Sequence, residues 1–244
     1  MPDKSAFCAR LERGANDMGI PLTGEQLEQF YAYYRMLVEA NARFNLTRVG
    51  DDVDAFVDRN LLDCLTPLSN GLLDGARTLI DVGTGAGFPG LPIAIAHPET
   101  EVTLLDALDK RVRFLDDVVK TLGLHTMTRH GRAEDAAREP DLRERFDVAT
   151  ARAVASVDIL SELLLPFVRV GGHMLALKGP NAEAELRDAA FALQTLGTGE
   201  ATLLNAEVPE RDWQHKLVWI QKLSNTPEKY PRRAGLPEKR PLRI

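Results

Sequence analysis

An acidic residue followed by alternating glycines is the stretch of this sequence best suited to hold a charged ligand. It runs from Asp81 to Gly90 as Asp-Val-Gly-Thr-Gly-Ala-Gly-Phe-Pro-Gly. Glycine lacks a Cβ and adopts positive φ readily, so the backbone can turn sharply and a ligand can approach it closely. The apolar run Thr78–Val82 predicts a buried strand before the turn, and a helix is predicted after it. In such a strand–turn–helix unit, backbone N–H groups are expected to face the ligand.

The spacing of the glycines separates two classes of ligand. Dinucleotide-binding turns have the form G-x-G-x-x-G, whereas this sequence has Asp81-x-Gly83-x-Gly85-x-Gly87. The carboxylate of Asp81 would repel a pyrophosphate and attract an ammonium or a sulfonium group. The pattern resembles the first motif of S-adenosylmethionine-dependent methyltransferases, which implies S-adenosylmethionine as the cofactor. A glycine-rich connection without any ligand is the alternative interpretation.

A second carboxylate follows the next predicted strand, Glu101–Leu105. Asp106, with Ala107 after it, lies 25 residues beyond Asp81, close to the interval at which an acid meets the hydroxyls of a ribose. One carboxylate can accept hydrogen bonds from both hydroxyls. The alternative is an acid that caps the helix predicted to begin near Asp109.

After the third predicted strand, Thr126–His130, come Ala133 and Glu134. A small residue and an acid at this point suit contact with the edge of an adenine, which offers an N6 donor and ring-nitrogen acceptors. The alternative is the ordinary enrichment of acids at a helix N-terminus.

Arg152 follows the fourth predicted strand, where a methyltransferase places the methyl group and its acceptor. The segment from Thr150 to Ser156 has no Pro-Pro-aromatic run for an exocyclic amine and no cysteine for covalent attack on a pyrimidine. The planar cation of Arg152 can hold a carboxylate, a phosphate or a guanine edge; a surface ion pair is the alternative. Lys178 is a second, weaker cation. A guanine N7 has a free lone pair, so the absence of an evident general base is compatible with it as acceptor.

Strands and helices alternate from Arg77 onwards, which predicts a mainly parallel Rossmann-like α/β sheet with helices on both faces. The predicted strands are Thr78–Val82, Glu101–Leu105, Thr126–His130, Phe146–Thr150, Gly172–Lys178, Thr202–Val208 and Lys216–Lys222. The predicted helices are Pro89–His97, Asp109–Leu122, Ala133–Arg138, Val157–Val168 and Ala182–Leu196. The last two strands are expected to pair antiparallel at one edge.

Three parts are predicted along the chain: a helical cap at 1–74, the cofactor-binding core at 75–223 and a basic, proline-rich tail at 224–244. In the cap, Thr23 and Gln26 predict a capping box, a loop is expected from Asn41 to Thr47, and a third helix from Val53 to Cys64. The prolines of the tail are expected to prevent regular structure. The tail is interpreted either as an RNA contact or as an extended arm packed on the core.

The totals favour a cytosolic protein without a metal site. The chain has 244 residues, a net charge of −6, and only two cysteines, Cys8 and Cys64, which suggest neither disulfides nor a metal cluster. No run of about 18 apolar residues predicts a membrane span, and no signal-peptide region opens the sequence. The acidic balance argues mildly against a nucleic-acid partner, although local basic clusters remain.

Several of these segments together resemble one family along nearly the whole chain. They are Asn45-Leu46-Thr47, Asp81 to Gly90, Leu105-Asp106, Lys110 to Leu115, Gly131 to Glu134, Ala151-Arg152-Ala153, Ala176 to Gly179 and Tyr230 to Gly235. The sequence resembles the glucose-inhibited division protein B family, bacterial methyltransferases of a guanine N7 in small-subunit ribosomal RNA.

The resemblance implies a class I methyltransferase fold, S-adenosylmethionine as donor, and 16S ribosomal RNA or the 30S subunit as partner, at guanine 527 of the 530 loop. It implies cofactor contacts at Gly83, Phe88, Ala133, Glu134 and Arg152, and it transfers no general base. Candidate RNA contacts are the basic residues Lys110, Arg111, Arg113, Lys178, Arg232 and Arg233, and RNA binding is expected to weaken steeply with salt.

Three other functions stay open from the sequence. A small-molecule methyltransferase fits the acidic balance, and a dinucleotide-dependent oxidoreductase fits the fold but not the glycine spacing. An assembly factor that binds RNA without catalysis is the third. A monomer is the favoured state.

Overall fold

The computed structural model of the chain describes residues 3–43, 46 and 52–243. In these residues a purely helical N-terminal part precedes an alternation of strands and helices. The strands are β1 (Thr78–Val82), β2 (Glu101–Asp106), β3 (Thr126–His130), β4 (Phe146–Arg152), β5 (Val168–Lys178), β6 (Thr198–Asn205) and β7 (Lys216–Lys222). The helices are α1 (Lys4–Asp17), α2 (Gly24–Asn41), α3 (Val53–Phe56), a π-helix (Val57–Leu62), α4 (Asp63–Ser69), α5 (Gly90–Ala96), α6 (Asp109–Leu122), α7 (Ala133–Ala136), α8 (Val157–Leu164), α9 (Ala182–Asp188), α10 (Ala190–Thr195) and α11 (Leu236–Lys239).

The described strands form one twisted sheet in the order β3-β2-β1-β4-β5-β7-β6. Strands β1 to β5 run parallel, and β7 runs antiparallel to both β5 and β6. The predicted Rossmann-like sheet with an antiparallel edge is therefore confirmed. The strand order reverses between β1 and β4, and in sheets of this kind ligands bind outside the carboxyl ends of the strands at that point.

Helices cover both faces of the sheet. On one face, Phe7 and Phe30 of the N-terminal helices share a buried cluster with Leu91 and Leu104. On the other face, Phe167 from the core lies in a second cluster with residues of α8, α10 and the C-terminal segment. Residues of 1–74 thus pack directly on the sheet, while the division at 74 and 223 stays a prediction.

The N-terminal helices differ from the prediction in one place. The capping box of Thr23 and Gln26 is confirmed. The predicted third helix does not end at Cys64, because a helical path continues through the π-helix and α4 to Ser69. In the predicted loop from Asn41 to Thr47, Asn41 still belongs to α2, and residues 44, 45 and 47, two of them in the motif at 45–47, lie outside the described residues.

Three further predictions of secondary structure differ from the structure. The helix predicted to reach Val168 ends at Leu164, because β5 already begins at Val168. The helix predicted over 182–196 is divided at Ala189 into α9 and α10. The tail was expected to lack regular structure, yet α11 forms there, because Pro237 occupies its first turn, where a missing N–H costs no hydrogen bond.

Neither a membrane-crossing helix nor a metal cluster occurs in the described part of the chain. No helix there is long and apolar enough to span a bilayer, and no three side chains of the metal-ligating types come together. Cys8 and Cys64 are free thiols. Burial raises the pKa of Cys64 to about 12, so this thiol stays protonated at neutral pH.

The C-terminal segment is held against the core by buried acids. Glu162 of α8 is almost fully buried and accepts hydrogen bonds from the Arg232 backbone N–H at 2.7 Å and from its Nη2 at 2.6 Å. Asp158, also buried, accepts from Arg243 Nε at 2.7 Å. The segment is thus an arm packed on the core, and two of its cations are engaged internally.

Adjacent arginines of this arm should differ sharply in their effect on stability. Arg232→Ala leaves the buried Glu162 carboxylate without its cation, which should lower the free energy of unfolding by about 3 kcal/mol. Arg233 is exposed, so Arg233→Ala should change it by less than about 0.5 kcal/mol. Urea denaturation of both variants measures the difference, and equal midpoints would contradict the structural role of Arg232.

Candidate active site

The glycine loop between β1 and α5 pairs its own N–H groups. Those of Gly83 and Thr84 both donate to the carbonyl of Leu105, at 2.8 and 3.1 Å. The N–H of Gly85 donates to Asp106 Oδ2 at 2.9 Å. The prediction that the loop N–H groups face a ligand is therefore wrong at these three positions. A phosphate cradle needs such groups unpaired, so the loop suits a pyrophosphate poorly, in agreement with its glycine spacing.

Asp81, at the end of β1, braces this loop with one carboxylate oxygen and leaves the other unpaired. Its Oδ2 accepts from Thr84 Oγ1 at 2.6 Å and from Gly90 N–H at 2.8 Å. Its Oδ1 is buried without a hydrogen-bond partner among the described residues, as is the hydroxyl of Thr150, which lies opposite Asp81 across β1 and β4. Burial raises the pKa of Asp81 to about 6, against the hydrogen bonds from Thr84 and Gly90, which lower it.

The loop is enclosed from two sides. Tyr33 of α2 donates its hydroxyl proton to the carbonyl of Ala86 at 2.7 Å. On the other side, Gly83 has φ +72°, and a Cβ there would lie 3.1 Å from Val154 Cγ2. The turn that carries Val154 includes Ala153 at φ +56°, a positive value that is uncommon outside glycine. The backbone of Gly83 is thus closely approached, and a side chain there would have to displace Val154 as well as adopt a positive φ.

Asp106 stands at the end of β2, next to the loop as predicted. Its Oδ1 accepts from Leu108 N–H at 2.9 Å, and its Oδ2 accepts from Gly85 N–H and from Arg111 Nη1, the latter at 3.3 Å. A ribose hydroxyl would therefore share Oδ2 with Arg111 or displace it. Ala107 is exposed beside it. The ribose contact of Asp106 and Ala107 stays a prediction.

Ala133 and Glu134 open α7 after β3. Glu134 is buried, and its Oε1 accepts from the N–H of Gly235 in the C-terminal arm at 2.7 Å. The arm therefore passes beside the position predicted for the adenine. The adenine contact of these two residues stays a prediction, with one oxygen of Glu134 already engaged.

Arg152, at the end of β4, is held by the π-helix. Its Nη1 donates to the carbonyl of Arg59 at 2.8 Å and lies 3.4 Å from Asp63 Oδ2, while its Nη2 donates to Asn60 Oδ1 at 3.2 Å. Its guanidinium lies over the ring of Phe88, 4.9 Å from the centroid. The two predicted site residues Arg152 and Phe88 are thus in contact. Phe88 belongs to the glycine loop and Arg152 is bonded to the π-helix, so the pair joins the loop to the N-terminal helices. A wide π turn is uncommon and often marks a functional site.

A cleft of about 390 Å³ opens beyond Arg152, along the carboxyl ends of β4 and β5. That volume is at the lower end of the range of small-molecule sites. His215 Nδ1 lies 2.8 Å from Asp63 Oδ1 in its wall. The polar residues lining it are Arg59, Asn60, Asp63, Arg152, Lys178, Asn181, Glu185, His215 and Lys216.

The six predicted RNA contacts fall into two groups. Lys110, Arg113 and Arg233 are exposed, and Arg113 makes only a surface ion pair with Asp109. The other three are bound to carboxylates: Arg111 to Asp106, Lys178 to Glu185 and Arg232 to Glu162. The structure thus leaves the first group free for a ligand and engages the second internally.

The sequence analysis missed four residues of this region: Tyr33, Asn60, Asp63 and His215. Asn60 and Asp63 are polar residues at buried positions of the helical stretch, flanking the apolar pair Leu61 and Leu62, and this was the available signal. No local pattern indicates Tyr33 or His215, which reach the site from distant segments.

The sheet order and the acid–glycine loop are those of the class I, Rossmann-like methyltransferase fold. Solved structures agree on the fold. The chain is similar to cofactor-bound Rv0187 from MTB, with a TM-score of 0.56, 18% identity, and coverage of 81% of this chain and 91% of that one. It is equally similar to an O-methyltransferase from Bacillus cereus in complex with SAH, with a TM-score of 0.56, 17% identity, and coverage of 90% and 100%.

The family is identified by sequence. Residues 26–213 match the GidB family, described as rRNA small subunit methyltransferase G. The chain is 49% identical over 230 residues to the ribosomal RNA small subunit methyltransferase G of Leuconostoc citreum, covering 93% of this chain and 95% of the relative. It is 44% identical to the protein of the same name from Clostridium botulinum, covering 95% and 97%. The chain belongs to the GidB family of rRNA small subunit methyltransferases.

Proposed function

We propose that this protein transfers a methyl group from S-adenosylmethionine to N7 of a guanine in the 530 loop of 16S ribosomal RNA, the guanine numbered 527. The observation that carries the cofactor assignment is the unpaired, buried Oδ1 of Asp81 beside a glycine loop whose N–H groups are already bonded. Such a site accepts a cation and offers little to a phosphate. Family membership supports the RNA substrate.

The residues present fit this cofactor. Asp81 Oδ1 would accept from the ammonium of its methionyl part, Gly83 would give close backbone approach, and Asp106 would accept from its ribose. Glu134 would lie at the adenine. When bound, S-adenosylmethionine supplies an electrophilic methyl group on a positively charged sulfur.

Guanine N7 suits the side chains at the end of β4. N7 carries an in-plane lone pair and no proton, so no residue has to remove one. Arg152 is a permanent cation and cannot act as a base near neutral pH. The contribution of the protein is therefore the placement of the acceptor and the electrostatic setting.

The test is methyl transfer from labelled donor to 30S subunits that lack the modification, followed by mapping of the methylated base. Label at N7 of the predicted guanine supports the proposal. Label on a small molecule only, or stable RNA binding without transfer, would instead favour one of the two alternative functions. Naked 16S RNA assayed in parallel identifies the form of the substrate.

The protonation of Asp81 should make cofactor binding pH-dependent. Because its pKa of about 6 lies above the ordinary 3.8, the ligand-free fold holds a proton that the unfolded chain releases. This group therefore stabilises the fold less as pH rises from about 4 to 6. An ammonium ligand needs the ionised form, so affinity should rise over the same interval.

Calorimetry with S-adenosylhomocysteine measures this effect directly. Binding at pH 5 should be about tenfold weaker than at pH 7, because roughly nine-tenths of the Asp81 carboxyl groups are protonated at pH 5. The matched control is Asp81→Asn, whose weaker binding should not change over this interval. A wild-type affinity equal at both pH values would contradict the contact.

The exposed cations of the C-terminal arm are proposed to meet RNA phosphates. Arg233, Lys239 and Arg240 are exposed, on an arm whose Tyr230 and Leu242 pack into the cluster on the other face of the sheet from the N-terminal helices. Changing all three to alanine should lower the slope of log affinity against log salt by about 2 to 3. As a control, Lys4, Arg13 and Arg35, which are exposed on the N-terminal helices, are changed to alanine together, and this should leave the slope unchanged. An equal decrease of the slope in both triple variants would refute a specific RNA-binding surface on the arm.

We take the enzyme to act as a cytoplasmic monomer.

A further inference from the structure

A carboxylate with unused hydrogen-bonding capacity lines the cleft beyond Arg152. Asp63 lies in its wall with its side chain 8% exposed. One oxygen faces His215 Nδ1 at 2.8 Å, while the other has only the long 3.4 Å contact with Arg152. A carboxylate has about four lone-pair positions, so Asp63 can accept further hydrogen bonds from a ligand in the cleft.

The other charged groups in the cleft differ from Asp63 in their chemistry or in their place. Arg152, Lys178 and Lys216 have donors only. The remaining carboxylate, Glu185, accepts through its Oε2 from Val157 N–H at 3.1 Å and from Lys178 at 2.7 Å. Asp63 differs from Glu185 in its place: it contacts Arg152, whose guanidinium lies over Phe88 of the glycine loop, so it is the carboxylate on the side of the cleft that faces the loop.

The shape of guanine indicates which donors these are. N7 lies on the five-membered ring, and the N1–H and the 2-amino group lie on the far side of the six-membered ring. When N7 faces the glycine loop, on the cofactor side of the site, that far edge points away from the loop, into the cleft that Asp63 lines. Two adjacent N–H donors on one edge match the two oxygens of a carboxylate.

We propose, on the basis of the proposed function, that Asp63 recognises the N1–H and 2-amino edge of the acceptor guanine. His215 and Arg152 orient its carboxylate. Adenine presents an unprotonated N1 at this edge, so it would face the carboxylate with an acceptor and be rejected. Asp63 is thereby the residue that selects guanine among the purines, both of which have an N7.

The same contact favours the reaction. As the lone pair of N7 forms the bond to the methyl carbon, the bond between methyl and sulfur breaks and its electron pair stays on sulfur. The purine becomes a cation, and no proton is transferred. Its N1–H and 2-amino groups then become stronger donors, so their hydrogen bonds to Asp63 strengthen in the transition state.

The experiment uses 30S subunits reconstituted with 16S RNA that carries guanosine or inosine at the acceptor position. Inosine keeps N7 and N1–H but lacks the 2-amino group. Wild-type kcat/KM should be about 10- to 100-fold lower on inosine, the range expected for loss of a base-edge contact. In Asp63→Asn, the rate on guanosine should fall about 100-fold, and the preference for guanosine over inosine should shrink to within about threefold.

Two controls separate recognition from folding. Asp147→Asn makes the same change in a carboxylate that is also bound to an arginine, Arg169, but at the opposite end of β4; it should keep the full preference for guanosine. Calorimetry should find S-adenosylhomocysteine affinity unchanged in Asp63→Asn. The inosine comparison in the wild-type protein needs no variant and therefore does not depend on folding.

Each outcome has a distinct meaning. Absence of any transfer to guanosine subunits by the wild-type protein overturns the proposed function. Transfer to guanosine and inosine at equal rates leaves that function intact and overturns the role of Asp63. A full guanosine preference retained by a folded Asp63→Asn protein overturns it as well.

Discussion

The Gly83→Val variant is expected to bind S-adenosylhomocysteine at least about 100-fold more weakly and to lose methyl transfer in the same proportion. Position 83 has φ +72°, which a β-branched residue adopts only under strain. A Cβ there would also lie 3.1 Å from Val154, inside the space where the backbone is closely approached. Calorimetry measures the affinity, and transfer to 30S subunits measures the activity.

Gly19→Val is the matched control for backbone strain. Gly19 has φ +74°, nearly the same value, but a Cβ there meets nothing within 4 Å. Both variants should lose similar stability, since both place valine in the left-handed region. Only Gly83→Val should lose ligand affinity. A Gly83→Val protein that binds the ligand normally would remove the glycine loop from the cofactor site.

The Arg152→Lys variant is expected to lower kcat/KM about 100-fold while keeping its charge. The guanidinium reaches Arg59, Asn60 and Asp63 with two nitrogens at once, whereas an ammonium on a flexible stem cannot hold these partners in one plane. Asn60 and Asp63 should therefore lose their fixed orientation. Single-turnover transfer on 30S subunits measures the loss.

Arg169→Lys is the control for this change. Arg169, near the start of β5, is half exposed and pairs at 2.6 Å with Asp147, near the start of β4 and remote from the cleft. Its replacement should leave kcat/KM within about twofold, as expected for a surface pair. If Arg152→Lys were as active as this control, the guanidinium would be a surface charge and not part of the site.

The sheet was predictable from local sequence because its strands are short apolar runs between turn residues. The bounds of β1, β3 and β7 agree with the prediction. β5 begins at Val168, not Gly172, because Val168 pairs with Phe146 across an irregularity in the register. Such pairing depends on a partner strand, and no pattern within β5 itself reveals it.

The candidate site was predictable only in part, for a similar reason. Asp81, Gly83 and Asp106 follow neighbouring strands, so the fold class alone brings them together. Arg152 was identified by its place after β4, but its partners Arg59 and Asn60 lie more than 90 residues earlier. The bracing role of Asp81 Oδ2 depends on the exact path of the loop, which glycine spacing does not specify.

The strand order at the sheet edge sets a constraint on biosynthesis. β6 is translated before β7, yet in the finished sheet β7 lies between β6 and β5. Emerging from the ribosome, 198–205 therefore has no docking place until 216–222 has been added. During that interval its unpaired backbone is open to other chains. Prompt translation of 206–222 therefore limits the time during which β6 can pair with another chain.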